Sequence, residues 1–244
     1  MWAGGIPMWT ISEVKETGKN AFKANYWPCV LVALLMTVFT GSGAASSRWN
    51  NSGSGVDPTG ITSGTSGLNS EELFPVLMVV FGVGFAIAAG ALIVKLFLVN
   101  PIHLGGAAFF KTNVEYGPAP FSTIGTGFRN YWHNFVVLFL RDLYLFFWLL
   151  LFLIPGFIKA YSYCMVPYIL AENPDMPANE VITRSREMMD GNKWQAFLLD
   201  LSFLGWILLG IMTLGLGLIF WTSPYMNSTR AALYLKLKNQ TFAV

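Results

Sequence analysis

Apolar residues come in long, little-interrupted runs, and these runs organise the chain more than any short motif does. A bilayer crossing takes about 20 mostly apolar residues, or somewhat fewer when aromatic and polar residues anchor the ends. Six segments meet that measure: Tyr26 to Thr40, Leu73 to Val99, Trp132 to Ile154, Phe157 to Ala171, Trp194 to Thr213 and Leu218 to Leu235. Pro155-Gly156 separates the third from the fourth, and Gly215-Leu216-Gly217 the fifth from the sixth. Both are turn sequences that do not continue a helix, so each pair reads as a hairpin. The pattern predicts an all-α fold in which residues 1–244 form a single membrane domain. It is a polytopic membrane helical bundle, with six transmembrane helices in three hairpins, each led by an amphipathic helix on the inner surface.

Those leading segments show helical periodicity in place of uniform apolarity. Thr10-Ile11-Ser12-Glu13 has capping-box spacing, and Ile11, Val14, Gly18, Ala21 and Phe22 recur on one face. Residues 10–25 therefore read as an amphipathic interfacial helix. Lys15, Lys19 and Lys23 stand four apart on a neighbouring stripe suited to anionic lipid headgroups, where each base contributes about 1 kcal/mol. Glu13, Glu16 and this periodicity argue against a cleaved signal peptide. Residues 177–191 read as an amphipathic cytoplasmic helix: Asp175 as cap, Pro177 in the first turn, Val181, Ile182, Ser185, Met188 and Met189 as apolar face, and Gly191 as the stop. Residues 41–71, mostly Gly, Ser, Thr and Asn, carry too little apolar surface to fold alone and read as a flexible extracellular loop.

The segments entering each hairpin align. Val14, Gly18, Lys19, Ala21, Phe22, Asn25 and Trp27 correspond at one offset to Val181, Ser185, Arg186, Met188, Met189, Asn192 and Trp194, and Asn130-Tyr131-Trp132 repeats Asn25-Tyr26-Trp27. Each hairpin returns through a helix with a proline near its inner end, at Pro101, Pro167 and Pro224. We read this as an internal repeat of three units. The string Thr183 to Trp194, with Leu201-Ser202-Phe203-Leu204-Gly205-Trp206 and Pro224-Tyr225 beyond it, resembles the bacterial integral-membrane family catalogued as domain of unknown function 975. The Ser12 to Trp27 segment is similar to that family's opening. The resemblance implies a polytopic bacterial membrane protein, distantly like membrane domains attached to some glycerophosphodiesterases. It brings no settled activity and no catalytic residues.

Composition agrees: 54% of the 244 residues are hydrophobic and 11% charged, less than half the charge of an average soluble domain. The bases are dispersed and the formal net charge is only +2, which leaves no basic face for nucleic acid. Bases concentrate before span one, between spans two and three, between four and five, and after six. The positive-inside rule then puts both termini on the cytoplasmic side of the cell membrane. Cys29 and Cys164 lie in apolar runs without metal or disulfide spacing and read as small packing residues.

Charge inside an apolar span is costly and points to a bundle interior, a cavity or an interface. Lys95 and Lys159 lie near span ends and reach the interface by snorkelling. Arg141, Asp142, Asp200 and Arg230 do not. Counted from the outer turns at 1.5 Å per residue, Asp142, Asp200 and Arg230 fall about 20 to 24 Å deep, at one level. They are read as an intramembrane polar cluster with Asp200 paired to Arg230. Small residues at Gly82, Ala86 and Gly90 allow close helix approach, and with it self-association or a membrane partner protein. His103 and His133 read as ordinary interface residues. No catalytic motif, metal-ligand pattern or cofactor fingerprint occurs, so the expectation is a non-enzymatic protein without cofactor or metal, whose partners are membrane lipids. It binds or transports an amphipathic molecule, lipid or peptide, through the polar cluster. The alternatives are a scaffold or accessory subunit and a membrane enzyme of unrecognised type.

Overall fold

The structure, a computed structural model, describes residues 9–40, 70–151, 153–213 and 215–242. The expected loop lies outside the described residues as far as position 69, and its last two positions already belong to a helix. All regular structure among the described residues is helical.

Helix α1 (Ile11–Ala24) starts on Thr10, whose hydroxyl accepts the Glu13 amide at 3.2 Å. Its buried stripe is Val14, Gly18 and Phe22. After Asn25 the chain turns by 105° into α2 (Tyr26–Thr40). Helix α3 (Ser70–Val94) passes through a π-helical turn, Lys95–Val99, into α4 (Asn100–Glu115). A 3-10 helix, Phe121–Phe128, leads to α5 (Tyr131–Leu151). Helix α6 (Leu153–Ser162) runs back along α5, so close that a Cβ on Gly156 would lie 3.0 Å from Leu149 Cα. A turn at Tyr163–Met165 separates it from α7 (Val166–Glu172), and then come α8 (Ala178–Met188), α9 (Lys193–Leu201) and α10 (Leu204–Met212). A second π turn, Leu218–Thr222, opens α11 (Ser223–Phe242).

Several boundaries differ from those the sequence suggests. By length and composition, two helices among the described residues can cross a membrane: Tyr131–Leu151, and Lys193–Met212 with α9 and α10 taken together. The count is three if the bent α1–α2 pair is one span. The expected span Phe157 to Ala171 is split at Tyr163–Met165, and Trp194 to Thr213 is interrupted at Ser202-Phe203. Pro155 and Gly156 do not make the turn; both lie inside α6. Pro155 occupies the first helical turn, where a backbone N–H would have no intrahelical partner anyway.

Pro101 and Pro224 also do not end their helices, because the backbone accommodates them. A proline withholds the N–H that would reach the carbonyl four residues back, here those of Phe97 and Phe220. Each carbonyl takes a tyrosine hydroxyl in its place: Tyr131 Oη donates to Phe97 O at 3.0 Å, and Tyr26 Oη to Phe220 O at 3.2 Å. The π turns sit just ahead of these two prolines.

Three asparagines hold the leading segments. Asn25 Nδ2 donates to Ala119 O at 2.9 Å, just before the 3-10 helix. Asn130 Nδ2 donates to Asp175 Oδ1 at 2.7 Å, just before α8. Asn192 Oδ1 accepts from Trp9 Nε1 at 2.9 Å, just before α1. The last contact closes a ring, and α1 packs on α11, where a Cβ on Gly18 would come within 2.6 Å of Thr229 Cα. Such an approach is open only to glycine.

The ends of α4, α7 and α11 meet in an ionic knot around Glu172. Its carboxylate takes Lys238, the Tyr234 hydroxyl at 2.5 Å and, at 3.6 Å, Lys111, which also lies 3.1 Å from Glu115. Desolvation acts to raise Glu172, but the hydrogen bonds from Lys238 and Tyr234 and the charge of Lys111 outweigh it and hold the carboxyl below its usual range. A carboxyl depressed on folding adds stability that is present above its unfolded pKa, about 4.3, and is lost as pH falls through the depressed folded value. Melting in detergent should therefore show the native chain losing more stability than Glu172→Gln as pH drops below about 5. Parallel pH profiles would refute this role.

Candidate functional site

The Asp200–Arg230 pair forms because the α9–α10 segment and α11 are antiparallel neighbours joined by a short connection. Trp206 meets Trp221 in a tilted contact and Tyr225 edge-on across that hairpin, and Thr222 Oγ1 donates to Trp206 O at 3.3 Å. Asp200, at the end of α9, then faces Arg230 on α11, with Nη2 to Oδ2 at 3.1 Å. Tyr161 Oη, reaching from α6, donates to the same carboxylate oxygen at 3.2 Å.

This group lines a cavity of about 290 Å³. His103 from α4, Asn227 from α11 and Cys164 from the α6–α7 turn join its polar lining. Ala160, Met165, Ala196, Leu199 and Leu233 supply most of the apolar wall. Desolvation, assisted by the charges of Arg141 and Arg230 and opposed by Asp142, lowers His103 to about 4. At neutral pH it is an uncharged imidazole with one donor and one acceptor.

The other two members of the expected cluster stand apart. Arg141 Nε and Nη2 donate to Asp142 Oδ1 at 3.0 and 2.7 Å, and Lys95 Nζ lies 3.4 Å from Asp142 Oδ2. Among the described residues no hydrogen bond or ion pair joins this group to Asp200–Arg230; only His103 feels the charges of both. Lys95, whose side chain stays exposed, is thus also paired with a carboxylate.

The lysine stripe on α1 is also divided. Lys15 Nζ lies 3.2 Å from Ser202 Oγ and 4.6 Å over the Phe203 ring, docked at the break between α9 and α10. The break exposes a hydroxyl and a ring face that meet the Lys15 ammonium. Lys19 and Lys23 are exposed.

Tyr161, His103, Cys164 and Asn227 were not singled out from the sequence as site residues. Cys164, read there as a packing residue, is exposed because the turn at Tyr163–Met165 lifts it out of helical packing; Cys29 is buried. His133 Nε2 lies 2.8 Å from Met176 O, outside the cavity. Among the described residues no group of three or more His, Cys, Asp and Glu side chains comes together as a metal site. Chemically, the cavity offers one carboxylate, one guanidinium, two phenols, a thiol, an imidazole and an amide within apolar walls. That set suits recognition of a polar head on an apolar molecule.

No curated protein and no solved structure matches the chain. Residues 149–241 match the family model described as protein of unknown function (DUF975). The matched stretch contains Tyr161, Cys164, Asp200, Asn227 and Arg230, and so most of the polar lining of the cavity. Over residues 149–241 the chain is similar to the DUF975 family.

Proposed function

We propose that this is a multi-pass protein of the bacterial cell membrane that binds or transports an amphipathic molecule, lipid or peptide, whose polar head enters the cavity at Asp200, Arg230 and Tyr161. The observation that carries the reading is the charge pair and phenol on the wall of a cavity among helices that are otherwise apolar. Net-neutral but strongly polar, the site suits a head that offers both a donor and an acceptor. The six-crossing, three-hairpin arrangement with both termini cytoplasmic is part of the proposal. It is supported by the ring of asparagine contacts and by the two tyrosines that serve the carbonyls freed by Pro101 and Pro224.

Native mass spectrometry of the detergent-extracted protein should detect a co-purifying amphiphile that Asp200→Asn releases. Equal retention by native and variant chains would overturn the reading. An impermeant thiol reagent added from outside should modify a cysteine placed at Ser54 and leave one at Asn179 protected; the reverse labelling would refute the orientation.

One observation favours a second reading, a non-catalytic scaffold or accessory subunit. Met78 to Phe81, Val83, Phe85 and Ile87 on α3 are exposed, and nothing lies within 4 Å of a Cβ built on Gly82, Gly84 or Gly90. Such a face accepts a second helix closely. Cross-linking between cysteines placed at Gly82 of two copies would support it.

A further inference from the structure

A second cavity, of about 210 Å³, lies among α4, the 3-10 helix and the turn after α7, and shares no lining residue with the first. Its polar lining includes Arg129, Thr112, Thr123, Thr126, Asn134 and Asp175. Asn134, 2% exposed, donates through Nδ2 to the carbonyls of Gly127 and Arg129. Those two bonds fix which end of the amide is which. The opposite atom, Oδ1, is buried and accepts from nothing. A buried acceptor without a donor is rare in a folded protein and marks a place where a donor belongs.

The lining of the same cavity carries one cation, Arg129, and one anion, Asp175. Among the described residues no carboxylate lies within ion-pair distance of Arg129. The one acid in the lining, Asp175, is engaged on Oδ1 by Asn130. The Thr126 hydroxyl already donates to Thr123 O at 2.7 Å, but a free guanidinium beside the Thr112 and Thr123 hydroxyls is the donor set that phosphate oxygens take, bidentate on the planar fork. Phe128 and Trp132 flank the site and are 44% and 70% exposed, as rings are at a membrane interface.

We propose that this cavity binds a phosphate that carries a neighbouring N–H or O–H donor. The phosphate oxygens sit on Arg129 and the Thr112 and Thr123 hydroxyls, and the donor reaches Asn134 Oδ1 with the Asp175 carboxylate beside it. A phosphate ester dianion with no further N–H or O–H leaves Asn134 unsatisfied. A choline phosphate does the same, because its quaternary nitrogen has no hydrogen to give. Ethanolamine and glycerol phosphates satisfy both ends. That chemistry belongs to lipid headgroups and to soluble phosphate esters alike.

The test uses the full chain in detergent, titrated with phosphatidylethanolamine, phosphatidylglycerol and phosphatidylcholine of identical acyl chains, and with phosphoethanolamine and glycerol 3-phosphate as competitors. Ethanolamine and glycerol lipids should bind about tenfold tighter than the choline lipid, and Arg129→Gln, at an exposed position, should weaken them about tenfold. Arg186→Gln, at an exposed position outside both cavities, should leave this binding unchanged, which separates the site from general surface charge. Displacement of lipid by the soluble esters assigns the site to free phosphate esters as well. Lipid binding that the esters do not displace assigns it to headgroups. Equal binding of the choline lipid, or an Arg129→Gln variant that binds as the native chain does, would overturn the proposal.

Discussion

Asp200→Asn and Arg230→Gln each lower the melting temperature of the detergent-solubilised protein, and the double variant recovers much of the loss. Removing one partner leaves the other charge without its counterion in a low-dielectric setting, and Asp200→Asn also takes the charged acceptor from the Tyr161 hydroxyl. Breaking a buried pair costs about 3 to 5 kcal/mol. The side chains are 26% and 46% exposed for Asp200 and Arg230, so the lower end, about 3 kcal/mol, is expected. Removing both charges leaves no uncompensated charge and hurts less. Additive losses across the double-mutant cycle would show that the two side chains act independently. Stability kept while a bound amphiphile is lost would show that the pair serves the ligand more than the fold.

Gly127→Ala is expected to cost about as much, by a different route. A Cβ there would lie 2.1 Å from Pro101 O, 2.6 Å from Gly105 N and 3.0 Å from Gly105 Cα. All three are backbone atoms, so no side chain can swing away. The 3-10 helix must lift off α4, and overpacking of this kind costs about 3 kcal/mol, or roughly 6 to 12 °C for a chain of this length. Gly125, two residues earlier, has nothing within 4 Å of its built Cβ, so Gly125→Ala should stay within about 0.5 kcal/mol of the native chain. Equal melting of the two variants would mean that the close approach to α4 is not what Gly127 is for.

What could be read from the sequence was what depends on local period and short connections. The stripe Val14, Gly18, Phe22 repeats every four residues and is the buried face of α1. Gly215-Leu216-Gly217 makes its flanking helices neighbours, and with that the Asp200–Arg230 pair follows. Counting depth along ideal helices failed where helices break. By that count Tyr161 lies about 9 Å from the Pro155 turn and Asp200 much deeper, yet the two side chains bond. Breaks at Ser202-Phe203 and Tyr163–Met165 shift the register that the count assumes to be straight. Arg141 and Asp142 missed the expected cluster for a local reason: adjacent in sequence, they satisfy each other and draw in Lys95. His103 carried no signal at all, because its neighbours come from α5 and α11, and long-range packing leaves no periodic trace.

The contact between Trp9 and Asn192 spans 183 residues, and Gly18 of α1 packs against Thr229 of α11. The helix made early by the ribosome therefore waits for one made late. The ring can close once Asn192 has been made, but until α11 follows, the Gly18 face of α1 lacks the helix it packs on.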